Sequence, residues 1–280
     1  MAVYTLPKEF HPDFSQPGRM PTGAVKLNNS SGYTENLVIA HLYNSKQNLV
    51  NHSIGTTQAN AQLSGKGLLL DGTGDYFKFS AADRVNLTFG TEEFTIVIRF
   101  QYRTPTSISP TLIGNGDTAA GEFMIRASTN TLQFYGNSGA IIATTGTYTF
   151  VDGDYYTMIA IRQANGAIIV RLVDYVTGVT LASGFDNGAT DDLSTTNATT
   201  GVGGADENSA RWWQGVIESC FVWKGRSWDN PPEEIRKGIY TALLEPAVPI
   251  SYFTAGAAPP VGFEPQWYRN RSAIIGAGMK

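Results

Sequence analysis

Apolar and polar residues alternate with a period of two through most of residues 37–224. Such alternation sends successive side chains to opposite faces of a strand. The clearest run is EFTIVIRFQYR at 93–103. Phe94, Ile96, Ile98, Phe100 and Tyr102 fall on one side, with Thr95, Val97, Arg99, Gln101 and Arg103 on the other. This predicts a long strand with a distinct core face. Residues 37–50 (LVIAHLYNSKQNLV) predict a strand, a turn and a second short strand. In residues 65–80 (GKGLLLDGTGDYFKFS), Leu68 to Leu70 form a strand, DGTGD a turn, and Tyr76, Phe77 and Phe79 a return strand. Shorter strands follow at 111–114, 121–127, 131–135 and 140–143, separated by Gly, Asn, Ser and Thr. Residues 155–162 and 167–175 flank Gln163-Ala164-Asn165-Gly166, a hairpin signal because Asn and Gly tolerate positive φ. Regular spacing of short strands predicts a sandwich or barrel.

The chain is organised around residues 211–240, RWWQGVIESCFVWKGRSWDNPPEEIRKGIY. After a turn glycine, Gly215, comes a strand with apolar groups on both faces, so it reads as mostly buried. Gly225 ends it. Asn230 then caps a short helix, Pro231 sits in its first turn, and Glu233 and Glu234 suit its positive end. Residues 184–210 are polar and Gly-rich and read as an exposed loop.

Composition narrows the classes. Hydrophobic residues make up 42% and charged residues 16% of the 280-residue chain, with 30 Gly, which suits strands and turns. The net charge is −4 and there is no basic run, so nucleic-acid binding has no electrostatic support. No apolar run reaches the roughly 18 residues of a membrane-spanning helix, and the N-terminus lacks the basic-then-apolar order of a signal peptide. The single cysteine, Cys220, excludes an intrachain disulfide and reads as a small core thiol. These features predict synthesis in a reducing cytosol.

Three ordered segments resemble laminin-G-like domains of the concanavalin A-like lectin/glucanase superfamily. The first is Gly67, Leu68, Leu70, Asp71, Gly72, Asp75, Tyr76 and Phe77, with Leu70 where the family has Phe. The second runs over 152–176, with Tyr155 and Tyr156 where Trp-His is usual. The third comprises Trp213, Gly215, Ile217, Val222, Trp223, Glu234, Ile235 and Tyr240. The resemblance implies an all-β fold, an antiparallel two-sheet jelly-roll sandwich over residues 36–245. Extended arms flank it at 1–35 and 246–280, both rich in proline. The N-terminal arm reads either as a flexible tail or as a segment packed on its own domain or a neighbour. Phe10, Phe14, Trp267 and Tyr268 are candidate partner-binding anchors, since exposed aromatics forfeit burial.

Fold alone does not choose a function. Glucanases of the superfamily carry carboxylates alternating on one strand. Here Glu92 and Glu93 only begin a strand, and Glu218 has no acidic partner two residues away. No nucleophile elbow is present. The chain therefore reads as non-enzymatic, with no catalytic residue, no cofactor and no assigned metal ligand. Calcium would have to use rim carboxylates from Asp71, Asp75, Asp191, Asp192 or Asp206; turn stabilisation is the competing role for Asp71 and Asp75. His41 reads as a packed or hydrogen-bonded imidazole. Trp212, Trp228 and Tyr135 are candidate glycan contacts, because aromatic faces suit the apolar faces of sugars.

The single sandwich with proline-rich arms also resembles tailed-phage virion proteins, matched at Leu37 to Asn44 and Gly276 to Gly278. That implies a capsid-decoration, collar or tail-associated protein, assembled in the host cytoplasm into the virion. Its partners would be other virion proteins and copies of itself, with no nucleic acid and no membrane insertion. The alternative is a carbohydrate-binding, lectin-like adhesion module contacting glycans.

Overall fold

A computed structural model describes residues 25–105, 109–116, 120–136, 140–186, 192–195, 199–204, 211–228, 233–236 and 243–246. The anchors expected at Phe10, Phe14, Trp267 and Tyr268, the rim acids Asp191 and Asp206, and the helix start at Asn230 and Pro231 lie outside the described residues.

In chain order the first strands are β1 (Val25–Leu27), β2 (Leu37–Leu42), β3 (Thr56–Gln58), β4 (Gln62–Ser64), β5 (Gly67–Asp71) and β6 (Tyr76–Lys78). Helix α1 (Ala81–Asn86) precedes β7 (Phe94–Tyr102), β8 (Thr111–Gly114), β9 (Phe123–Ser128), β10 (Thr131–Gly136) and β11 (Ala140–Thr144). Then come β12 (Tyr155–Arg162), β13 (Ile168–Asp174), β14 (Thr180–Asp186), β15 (Gly201–Val202) and β16 (Gln214–Lys224). Helix α2 (Glu233–Arg236) and β17 (Leu244–Pro246) close the series.

Two antiparallel sheets pack face to face, as the jelly-roll expectation requires. One runs β11-β10-β9-β8-β15-β6-β3. The other runs β14-β13-β12-β7-β16-β5-β4, with β2 also paired to β16. Their inner faces meet in one core containing Phe94, Ile98, Phe100, Phe123, Phe134 and Trp213.

Strand β16 organises the second sheet. Along one edge it pairs with β7 over most of its length. Its other edge is shared: Gln214 to Ile217 pair with β5, and Ser219 to Trp223 pair with β2. Both of its faces are buried, as the sequence predicts. Ile217, Cys220 and Val222 enter the central core. Phe221 and Trp223 enter a second cluster on the outer side of the same sheet, with Val97, Ile159 and Ile161. That side is roofed by Trp228, Ile235 of α2, Leu243, Leu244, Val25 and Tyr33. The Trp223 indole N–H donates to the Tyr33 carbonyl at 2.7 Å. Strand β1 pairs with β17, so residues 25–27 lie against this sandwich rather than standing free of it.

Three expectations change. Strands β5 and β6 are not a hairpin: β5 pairs in the eight-stranded sheet and β6 in the seven-stranded one. The DGTGD turn carries the chain between sheets, and the Asp75 carboxylate fixes it by accepting from the Asn60 and Asp71 backbone N–H groups at 2.7 and 3.0 Å. Asp71 in turn accepts from the Thr73 N–H at 2.7 Å. Both acids thus act as turn stabilisers. Second, residues 184–210 are not simply an exposed loop. Gly201–Val202 is a strand inserted between β8 and β6, and Leu193 is fully buried. A two-residue strand carries too little pattern to be read from sequence. Third, Asn165 is not among the described positive-φ residues; Gly166 alone turns left-handed there, at φ 86°.

Gly215 lies inside β16 rather than in a turn, at φ 127°. A methyl group there would sit 2.4 Å from the Gln101 carbonyl oxygen. Gly215→Ala is therefore expected to destabilise the fold by about 2 kcal/mol or more. Gly65→Ala, with nothing within 4 Å of the added carbon, should stay within about 0.5 kcal/mol. Urea denaturation of the two variants checks this pair, and equal midpoints would contradict it.

Candidate functional site

The two outer faces of the sandwich differ. The eight-stranded sheet has the apolar roof just described. On the seven-stranded sheet the described outward side chains form only a small buried pair, Met124 and Tyr135. Register places Met124 opposite Tyr135, Arg126 opposite Gln133, and Gly114 opposite Gly201. Thr111 of β8 shares this face opposite Arg126, and its hydroxyl contacts the Met124 sulfur at 3.0 Å.

At one side of the face Trp212 stacks on Tyr76 with ring centroids 5.8 Å apart and planes inclined by 24°. Its neighbour Trp213 turns inward, and the Trp213 indole N–H donates to the Gln101 carbonyl at 3.3 Å. Strand alternation predicts this division. Trp212 itself is only half-buried. It lies over Gly204, where an added methyl would come 2.6 Å from the indole ring. A residue with a side chain at 204 would therefore displace the ring. Next to it, the Arg211 guanidinium packs against the Met124 sulfur at 3.8 Å, and partial burial pulls its pKa down.

At the other side Arg126 lies on the Tyr135 ring, 3.7 Å from its centroid. Its Nε donates to Gln133 Oε1 at 3.3 Å, and a terminal nitrogen meets the Tyr135 hydroxyl. Tyr135 is thus 5% exposed, which corrects its assignment as an open glycan contact. Trp228 is corrected for a different reason. It is 8% exposed, belongs to the roof of the opposite sheet, and packs against Trp223 at 4.7 Å, Tyr33 at 5.9 Å and Arg226 at 4.7 Å. Of the three candidate rings, Trp212 keeps an accessible surface. Sequence reading missed Tyr76, Arg126, Gln133 and Gly204. Alternation in β9 puts Arg126 outward with Met124, but which residue it meets depends on register.

No protein-family model matches the chain, and no curated protein matches it in sequence. Solved structures do match in fold. One is domain 4 of AbnA, a GH43 extracellular arabinanase from Geobacillus stearothermophilus, in complex with arabinotriose. It has a TM-score of 0.51 and 14% identity, over 73% of this chain and 98% of that domain. A sialidase from Trypanosoma rangeli also has a TM-score of 0.51, with 16% identity, over 73% of this chain and 32% of the sialidase. Mouse laminin α1 domains LG4-5 align at a TM-score of 0.39, too loosely to argue from. At these identities the likeness establishes a β-sandwich fold and nothing finer.

The carboxylate of Glu218 is engaged inside the fold. Glu218 is fully buried and accepts from the Tyr175 hydroxyl at 2.6 Å, with the Arg99 guanidinium 3.4 Å over the Tyr175 ring. Among the described residues no group of three or more His, Cys, Asp or Glu converges as a metal site would. Among them, too, no helix is long and apolar enough to cross a membrane. Cys220 is buried and free, and burial pushes its thiol pKa far up.

His41 is bonded and packed. It meets Asp83 at 3.3 Å and stacks on Tyr43 at 5.6 Å. Asp83 lies in the first turn of α1, where its N–H donates to the capping Ser80 Oγ at 3.0 Å. Its carboxylate also accepts from Asn48 at 2.7 Å, Asn51 at 3.0 Å and Ser53 at 2.9 Å. Burial pushes this carboxyl up, but the hydrogen bonds from His41, Asn48 and Asn51 outweigh it and bring the pKa down to about 2. A carboxyl harder to protonate when folded stabilises the fold above its ordinary range and loses that support as the pH falls. Stability should therefore drop between pH about 4 and about 2, and Asp83→Asn should remove part of that drop. Asp83→Ala, which strands several donors, should cost about 2–4 kcal/mol at neutral pH. Urea midpoints across that pH range decide it; an Asp83→Asn profile parallel to the wild type would refute the assignment.

Proposed function

We propose that this chain is a non-catalytic carbohydrate-binding module whose ligand lies on the outer face of the seven-stranded sheet. The carrying observation is Trp212, a half-buried indole stacked on Tyr76 beside a face that the described chain leaves without an apolar roof. Such a ring offers a flat surface to the C–H side of a sugar, while Gln133, Thr111 and Arg126 nearby offer hydrogen bonds. Hydrolysis would need two carboxylates flanking the bond. Among the described outward positions of this sheet there is none. The sandwich seen with arabinotriose in an arabinanase domain supports this reading as a fold that can serve a saccharide.

The virion reading rested on Leu37 to Asn44, on the proline-rich arms and on Gly276 to Gly278, the last of which lie outside the described residues. Neither the sandwich nor its structural neighbours favours it, and the glycan-binding reading takes precedence. Display of such a module on a particle remains compatible with it and is tested separately, by looking for the chain in purified virions.

Arabinotriose and a panel of neutral oligosaccharides should give measurable heats in titration calorimetry. Trp212→Ala should weaken the bound sugar by about tenfold or more while leaving the melting temperature near that of the wild type. Trp228→Ala should do the reverse, because its ring holds the opposite sheet's roof together. Unchanged affinity in a folded Trp212→Ala protein would remove this face as the site.

A further inference from the structure

The charge of the outer face sets it apart from the rest of the chain. The whole sequence carries 24 acidic and 20 basic residues, a net charge of −4. Yet across the register from β11 to β3, the described outward positions include Lys78 and Arg126 and no acid. Arg211 adds a third guanidinium or ammonium at the Trp212 side. Basic groups gathered on one face of an acidic protein favour anions there, against the sign of the net charge.

Arg126 is the most informative of the three. Its hydrogen bonds and ring contact are all to neutral groups, the amide of Gln133 and the hydroxyl and ring of Tyr135. The guanidinium is thereby held flat and oriented while its charge stays uncompensated. A planar fork held in this way matches a carboxylate, to which it can donate two parallel hydrogen bonds. An amide or a lysine would pack less well on Tyr135 and would not offer that fork. Between Arg126 on β9 and Tyr76 on β6 lie β8 and β15. Three strand spacings amount to roughly 14 Å, within the reach of a short oligosaccharide. That path starts over Thr111, which lies opposite Arg126, and is flanked by Gly114 and Gly201 on the row shared with Met124 and Lys78.

Building on the glycan-binding reading, we infer that this face takes a carboxylate-bearing oligosaccharide, with Arg126 receiving the carboxylate and Trp212 stacking on a neighbouring ring. Uronates and sialates both supply that group, and the test separates them. The full chain is titrated with trigalacturonic acid, with 3′-sialyllactose, and with their neutral counterparts galactotriose and lactose. One acidic sugar should bind about tenfold tighter than its neutral counterpart at low salt, and the difference should shrink as sodium chloride is added. Arg126→Gln should abolish the acid preference, read as the ratio of acidic to neutral affinity in the same protein. Arg126→Lys, which keeps the charge and loses the fork, should restore part of the preference. If Arg126→Gln fails to fold by thermal melting, the Arg126→Lys protein decides the matter by the same comparison. Equal binding of acidic and neutral sugars, or an acid preference that survives both substitutions, overturns the carboxylate assignment and leaves the glycan reading standing. No binding to any acidic or neutral sugar overturns both.

Discussion

Every backbone donor and acceptor of a strand buried on both faces must find a partner within the protein, and β16 imposes that demand over eleven residues. One neighbour, β7, is long enough to serve nearly the whole of one edge. No single strand serves the other, so β5 and β2 divide it end to end. Much of the architecture follows. Strand β2 must come from before the DGTGD turn and β5 from just ahead of it, which obliges the chain to leave this sheet at Asp71 and enter the other at Tyr76. The outward side of β16 carries Phe221 and Trp223, which cannot face water without losing about 1.5–3 kcal/mol each. Residues 25–33, Trp228, α2 and β17 gather over them as a consequence.

That roof creates the asymmetry on which the proposed function rests. Chain segments from both ends cover one sheet, and the other keeps an outer face with few apolar groups to bury. On that second face the aromatic and basic residues are placed by register. Trp212 is adjacent in sequence to Trp213, and alternation sends the two indoles to opposite sides, one into the core and one outward. Gly204 lets the outward ring settle against Tyr76. Across the sheet, pairing of β9 with β10 sets Arg126 on Tyr135. The same fold thus uses similar chemistry in two ways: Trp228 with Arg226 closes a hydrophobic roof, and Arg126 with Tyr135 orients a charge at a surface.

Two buried acids, Asp83 and Glu218, are engaged in structure. Asp83 ties α1 to the 48–53 turn and to His41 on β2, and its four side-chain donors explain why an acid is tolerated with no exposure. Glu218 with Tyr175 performs a comparable task on the outer side of β16. These acids are the ones a search for catalytic carboxylates would reach first, and their burial removes them from any open surface.

By itself the sequence determined the all-β class, the positions of the long strands, the inward and outward faces of β7 and the two-sided burial of β16. Each of these follows from side-chain alternation, a property of the backbone that needs no partner. The division between Trp212 and Trp213 was legible for the same reason. Only the tertiary structure decided which strands share a sheet. The DGTGD turn has the residues of a hairpin, but β5 and β6 find better partners in opposite sheets. It also decided that Gly201–Val202 fills a gap between β8 and β6, where two residues are too few to show a period. Finally it decided which aromatics are accessible. Exposure depends on what packs above a ring, and Trp228 and Tyr135 are covered by residues distant in sequence or brought across by register: Tyr33 and Trp223 over the one, Arg126 over the other. Alternation specifies the side of a sheet, but not what comes to lie on it.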